Sequence, residues 1–249
     1  MSKNKELYEI SQTIINSNAY KISNQLETLK RNFFIFNRNH TELNKVLNLT
    51  KNEKKMLKLW DLKNRNQLGL VLNELARLLH NYLASAKTLI SYTRVLIKHW
   101  YKNTEFLNEY NEEVKNRFDN NPLAKCIEKL RDYCLHYSLP ITNANFKFTP
   151  IEGTHNVKSI DFSFSLVKES LLFWDGWKTK ARDFLNNSDE DINIESFVNN
   201  YYEKVKEFHQ WIVKRIIENN KGELEWLAET QRQMIDLMDD EEKKIRGLN

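Results

Sequence analysis

The chain has 249 residues, of which 41% are hydrophobic and 29% charged, with only five glycines and three prolines. This composition is sufficient for a well-packed domain and too poor in turn-forming residues for an all-β fold, so we predict a mainly α-helical protein. The formal net charge of +4 is compatible with anionic partners but is too small to indicate nucleic-acid binding by itself.

Three features of the sequence predict a cytoplasmic protein. The N-terminus leads into a polar amphipathic segment that lacks the apolar core of a signal peptide. The most apolar stretch, Tyr82 to Trp100, contains three lysine and arginine residues, each of which is costly at the centre of a bilayer, so no membrane span is expected. Cys126 and Cys134 lie about 12 Å apart along one predicted helix, beyond disulfide reach, and are expected to be buried thiols.

The N-terminal half is predicted to be helical. Apolar residues recur every three or four positions from residue 5 to about 36, which indicates one long amphipathic helix. Asn-rich connections between helices are predicted next, at about residues 37–53. The most hydrophobic helix is predicted from about Gln67 to Tyr101, and its apolar residues cover more than one face, so it should be central. A further helix is predicted over Glu105–Phe118.

The sequence between about residues 145 and 166 has a different period. Two runs there alternate apolar and polar residues, and the segment Glu152–Asn156 separates them. This pattern predicts a β-hairpin with His155 in its tip, as a loop residue rather than a ligand.

Helical periodicity returns after the hairpin in three segments, Val167–Asn186, Phe197–Ile216 and Leu224–Met238. No linker rich in glycine and serine separates any of these elements. We therefore expect a helical bundle over 1–140, with the hairpin and C-terminal helices of 141–249 packed on it.

The stretch Asn121–Thr142 carries the residues that indicate a function. Pro122 suits the first turn of a helix, and Pro140 predicts that the helix ends before it, so a motif helix is expected over 122–138. An apolar stripe on this helix should face inward, and its members are Leu123, Cys126, Ile127, Leu130, Cys134 and Tyr137. The residues away from that stripe include Arg131, Asp132, Leu135 and His136.

The phrase Arg131-Asp-Tyr-Cys-Leu-His136 resembles the Arg-x4-6-His signature of HEPN domains, small helical bundles of which many are metal-independent endoribonucleases. Asp132 occupies the polar position that follows the arginine in that signature. A second pair with the same spacing, Arg94 and His99, has an apolar residue at that position. The wider stretch from Arg131 to Pro140, together with Leu79 to Arg94 upstream, resembles an uncharacterised bacterial HEPN-like family, and this resemblance covers about residues 60–185.

This resemblance implies an antiparallel bundle that forms a symmetric dimer, in which two Arg/His sets meet in a cleft. It also implies an RNA substrate cleaved by its own 2′-OH without a cofactor, in a toxin or an anti-phage defence component. His136 is suited to proton transfer near neutral pH, and Arg131 to bidentate contact with phosphate. The dimer is expected to form through the face of Arg131, Leu135 and His136, with Leu135 at the two-fold axis.

Several neighbours are expected to support this site. Asp132 and His136 are four residues apart and therefore adjacent on a helix, so the carboxylate should orient the imidazole. Arg131 and His136 are separated by roughly 140° around the helix. Weaker candidates for substrate contact are Tyr133, Tyr137, His80 and Asn81, although a lone histidine such as His80 is more often a hydrogen-bonded core residue. No residues have the spacing of a metal site.

Two other functions are compatible with the same residues. One is a catalytically inactive HEPN-like dimer that binds a protein partner, where Arg131, Asp132 and His136 form a surface charge network worth under about 1 kcal/mol. The other is a nucleotide sensor that uses the same cleft, although the sequence has no glycine-rich phosphate loop. Some HEPN toxins carry a tyrosine two residues after the histidine, as the target of a nucleotide-adding antitoxin. Here Ser138 occupies that position, so this regulation is not expected.

Overall fold

The structure is a computed structural model that describes residues 3–151, 157–188 and 191–238. The α-helices in these ranges are α1 (Lys3–Asn16), α2 (Asn18–Leu47), α3 (Glu53–Trp60), α4 (Arg65–Trp100), α5 (Glu105–Val114), α6 (Pro122–His136), α7 (Lys168–Leu172), α8 (Thr179–Asn187), α9 (Ile194–Asn219) and α10 (Lys221–Leu237). The strands are β1 (Thr142–Pro150), β2 (Val157–Val167) and β3 (Asp191–Asn193). The mainly α-helical fold with an appended β-hairpin is thus confirmed. Within the described ranges, no helix has the length and apolarity needed to cross a bilayer.

The chain divides into two compact units. One comprises Met1–Arg31 with His209–Asn249, and there α1 packs against α10 around the buried Ile14 and Leu227. The other comprises Asn32–Phe208 and contains the hairpin and the motif helix α6. All residues of the candidate site belong to this second unit.

The single helix predicted over residues 5–36 is two helices. Ser17 separates them, because its hydroxyl oxygen accepts a hydrogen bond from the backbone N–H three residues later (3.0 Å) and so caps α2. Helix α2 then runs through the Asn-rich stretch to Leu47. Asn39 and Asn44 do not interrupt it, since their side-chain amides donate to the carbonyls four residues earlier.

Helix α4 is central in the second unit, as its apolar pattern predicts. It packs against α3, α5, α6 and β1. Its buried face belongs to the main core, where the Tyr82 hydroxyl donates a hydrogen bond to the backbone carbonyl of Val198 at 2.9 Å. This bond satisfies a phenol that is fully removed from solvent.

The motif helix α6 begins at Pro122, as predicted, and ends at His136. The Asn121 side chain caps it by accepting a hydrogen bond from the N–H of Ala124 at 3.1 Å. The helix packs against α4 and α8. Its buried residues are Ala124, Cys126, Ile127, Leu130 and Tyr133.

Strands β1 and β2 pair antiparallel, from Thr142 opposite Leu166 to Phe148 opposite Ile160. The predicted tip residue His155 lies outside the described residues. A third strand, β3, pairs antiparallel with the end of β2. The apolar pattern of the sequence does not predict β3, because three residues are too few to show a period.

The helix predicted over 167–186 is also divided, into α7 and α8. Between them, a Cβ atom on Gly176 would lie 2.1 Å from the ring of Trp174, so only glycine fits this close approach. The indole N–H of Trp177 donates to the carbonyl of Leu171 at 2.7 Å. Trp177 is buried, as expected of a core anchor.

Candidate functional site

Arg131 and His136 lie at the C-terminal end of α6 in different environments. Arg131 is half-buried and lines a groove against α4. His136 is exposed at the last residue of the helix, and it has no hydrogen bond or ion pair with the part of the chain that the structure describes. This separation agrees with the angle of roughly 140° that five helical residues subtend.

Asp132 does not form the expected contact with His136. Its carboxylate accepts hydrogen bonds from Lys129 Nζ (2.9 Å) and from Arg131 Nη1 (3.2 Å). These two cations lie within one helical turn of Asp132 and satisfy both of its carboxylate oxygens. Neither oxygen therefore bonds to the imidazole of His136. Partial burial alone would raise the pKa of Asp132, but Lys129 and then Arg131 together lower it below its ordinary value.

The two tyrosines proposed as substrate contacts have different positions. Tyr133 is buried, and its ring stacks on Trp177 at a centroid distance of 5.9 Å and meets the edge of Trp174 at 5.6 Å. It is therefore a core residue, because the 3.6-residue period turns it inward beside Leu130. The prediction that Tyr137 belongs to the inward stripe is wrong, because the helix ends at His136 and Tyr137, which follows it, is exposed.

A groove of about 550 Å³ lies between α4 and α6, and we refer to it as the α4–α6 groove. Helix α6 contributes Arg131, Cys134 and Leu135. The α4 residues repeat every three or four positions and therefore form one stripe of that helix. They include His80, Ala84, Lys87, Ser91, Tyr92 and Val95.

His80 shares the α4–α6 groove with Arg131. The residue is half-buried, and its Nδ1 atom is buried without a hydrogen-bond partner among the described residues. His80 is therefore not a hydrogen-bonded core histidine, which was the alternative to a role in substrate contact. Asn81, the other weak candidate on α4, is half-buried and does not line the groove.

The charge of the α4–α6 groove is positive. Among the described residues that line it, Lys87 and Arg131 are the charged ones, and none is a carboxylate. Burial raises the pKa of Cys134 to about 11, so this thiol is protonated at neutral pH and adds no negative charge. The groove therefore favours anions.

The second Arg/His pair lies elsewhere on α4. Arg94 and His99 are exposed and do not line the α4–α6 groove. The His99 ring meets the neighbouring Trp100 edge to face at 5.5 Å. Across the described ranges, no group of three or more His, Cys, Asp and Glu residues is arranged to hold a metal ion.

The chain was compared with models of protein families, with curated proteins and with solved structures, and none of them matches it. The resemblance to HEPN domains therefore rests on the sequence alone, on the motif with the stretches from Arg131 to Pro140 and from Leu79 to Arg94. Sequence reasoning overlooked Lys87, Ser91 and Tyr92 as site residues. The sequence signal that could have identified these residues is their spacing from His80, because it places polar residues in one stripe of the most hydrophobic helix, α4.

Proposed function

We propose that this chain is a metal-independent endoribonuclease of the HEPN type, a cytoplasmic homodimer that acts as a toxin or in defence against phage. One observation carries the proposal. Arg131 lines a positively charged groove, while His136 at the same helix end is fully accessible to substrate or to a second chain. An accessible Arg/His pair next to an anion-binding groove is suited to the cleavage of a phosphodiester.

The reaction requires two proton transfers. The 2′-oxygen attacks the adjacent phosphorus as a base takes its proton, and the bond to the 5′-oxygen breaks as an acid protonates that leaving group. His136 serves one of these roles in each chain, and a dimer supplies the second histidine. Arg131 donates hydrogen bonds to the phosphate oxygens, where negative charge accumulates in the transition state.

Exposed apolar residues support self-association near the motif. Leu135 is 46% exposed, and Tyr137, Leu139 and Ile141 that follow it are each more than half exposed. Contiguous exposed apolar residues are typical of interaction sites. A second copy of the chain that covers Leu135 would bring its own Arg131 and His136 close to the first set.

A second candidate is the catalytically inactive binding module. The observation that favours it is the pairing of Asp132 with Lys129 and Arg131, because His136 then has no carboxylate to fix its tautomer. In this case the same face holds a protein partner such as an antitoxin.

Incubation of the purified protein with mixed RNA in EDTA tests the proposal. We expect discrete fragments from the wild type and a loss of roughly 10²–10⁴-fold in rate for His136→Ala, the range that a general acid or base contributes. His136 is exposed, so this variant should retain its stability within about 0.5 kcal/mol. Arg131→Lys should be severely impaired, because an ammonium group cannot reproduce the bidentate contact with phosphate.

The chain offers its own control for this experiment. Arg94→Ala and His99→Ala remove the second pair, which is exposed and outside the α4–α6 groove. Both variants should cleave RNA at nearly the wild-type rate. Absence of cleavage by the wild type, or equal cleavage by the His136→Ala variant, would contradict the proposal.

A further inference from the structure

The α4–α6 groove contains polar groups whose hydrogen-bonding capacity the protein does not use. Ser91 and Tyr92 have no side-chain hydrogen bond with any residue that the structure describes, and His80 leaves Nδ1 unpaired. A buried polar atom without a partner, such as His80 Nδ1, is uncommon in proteins. The hydroxyls of Ser91 and Tyr92 are accessible and can bond to a ligand in the groove. The volume of about 550 Å³ is typical of small-molecule sites.

The charged groups of the groove indicate an anionic ligand. Lys87 is half-buried and has no ion pair within the described ranges, whereas Arg77 on the same helix pairs with Glu74 at 2.6 Å. Arg131 lines the same groove from α6 and keeps donors beyond its single bond to Asp132. Two cations that line one groove are suited to an anionic ligand such as phosphate.

The rest of the lining is apolar and aromatic. Val95 on α4 is exposed, and Tyr92 lies between it and Ser91 in the sequence of that helix and lines the same groove. A free phosphate ion would leave this surface in water. A nucleobase would cover it, since bases of single strands stack on aromatic and apolar side chains.

We propose that the α4–α6 groove holds one nucleotide of single-stranded RNA, with its phosphate between Lys87 and Arg131 and its base against Tyr92. The hydroxyl of Ser91 is available to the ribose 2′-OH, which distinguishes RNA from DNA. A base inside a duplex cannot enter a groove of this size. The inference deepens the proposed function, because it shares Arg131 with it and specifies an unpaired substrate.

Binding is measured on His136→Ala protein in EDTA, by fluorescence anisotropy of a labelled single-stranded RNA of ten nucleotides. Lys87→Gln, added to this protein, should weaken binding and lower the slope of log affinity against log salt by about 0.7, the value for one phosphate contact on a single strand. Tyr92→Leu should weaken binding about tenfold without changing that slope, since the lost contact is stacking.

Lys55→Gln is the matched control. This exposed lysine of α3 lies outside the groove, and its replacement makes the same change in net charge. It should leave affinity and slope unchanged. Thermal denaturation of each variant checks the fold, and Lys87→Gln decides the test if Tyr92→Leu is unstable.

Three results would overturn the inference: no binding of the RNA at micromolar protein, Lys87→Gln behaving like Lys55→Gln, or duplex RNA binding as tightly as the single strand. A groove that captures an acidic protein instead would give the first result. The proposed cleavage is measured separately on the wild type. If RNA binding depends on Lys87 but the wild type does not cleave RNA, the proposed nuclease activity is refuted and the RNA-binding groove is supported. If the wild type cleaves RNA but binding does not depend on Lys87, the nuclease activity is supported and the RNA-binding groove is refuted.

Discussion

At the scale of single residues, His40 combines a stacked ring contact with a side-chain hydrogen bond. Its ring stacks on Tyr202 at a centroid distance of 3.7 Å with an angle of 1° between the planes. Its Nε2 lies 2.7 Å from Asn199 Oδ1, and Asn44 donates to the same oxygen at 3.0 Å. The arrangement joins α2 to α9 through neutral groups.

Burial lowers the pKa of His40 below its ordinary value of 6.5, although the hydrogen bond to Asn199 and the charge of Glu203 act against this effect. The fold thus favours the neutral imidazole. The stabilisation is fully present above about pH 6.5, the value expected in the unfolded chain, and is lost as the pH falls through the lower value of the folded protein.

We therefore predict that acidification destabilises the wild type more than His40→Gln, which keeps a polar group but does not titrate. Melting temperatures of both proteins from pH 8 to pH 5 provide the measurement. The difference between them should be constant above neutrality and should shrink below pH 6.5. Parallel curves over the whole range would show that His40 does not contribute to the pH dependence.

The positions of Arg131 and His136 away from the apolar stripe could be predicted from the sequence, but the partners of the motif residues could not. Arg131 and His136 were identified by spacing alone, and both are accessible. The contact of Asp132 depends on which neighbour is the stronger donor, and Lys129 and Arg131 outcompete an imidazole that lies one turn away. Periodicity places a side chain on a face without stating which partner it selects.

At the scale of elements, periodicity predicted long helices and missed their interruptions. The break at Ser17 depends on one hydroxyl that caps α2, and the break at Gly176 depends on the ring of Trp174. Such single contacts do not change the average apolar spacing of a segment. The α4–α6 groove was missed for a related reason, since it exists only where two helices meet.

The cap of α6 gives a prediction at this scale. Asn121→Ala should cost about 1 kcal/mol, because the N–H of Ala124 loses its acceptor. For a domain of this size the loss corresponds to a fall of about 2–4 °C in melting temperature. RNA cleavage well below that temperature should be unchanged, since the motif is at the opposite end of the helix.

Asn121→Ser supplies the control for this prediction. Serine is an equally good capping residue, so the variant should melt close to the wild type. If the alanine and serine variants melt together, the hydrogen bond of Asn121 does not stabilise α6.

At the scale of the whole molecule, the proposed activity depends on a second chain. One copy supplies a single accessible histidine at the motif, and the exposed Leu135 lies on the face that also bears Arg131. Burial of a leucine side chain is worth roughly 1.5–3 kcal/mol, so several apolar residues there favour association. Sedimentation of the wild type at micromolar concentration should therefore give a dimer.

Mixing two inactive variants tests whether each working site draws on both chains. Arg131→Ala and His136→Ala proteins should each fail to cleave RNA, and their mixture should regain part of the wild-type activity. The reason is the content of the shared cleft: a mixed dimer retains one Arg131 and one His136, supplied by different chains, whereas each variant alone lacks one of the two groups entirely. Leu135→Glu in both variants should remove the recovery by introducing a charge at the interface. If subunits demonstrably exchange and no activity returns, one chain must supply both groups.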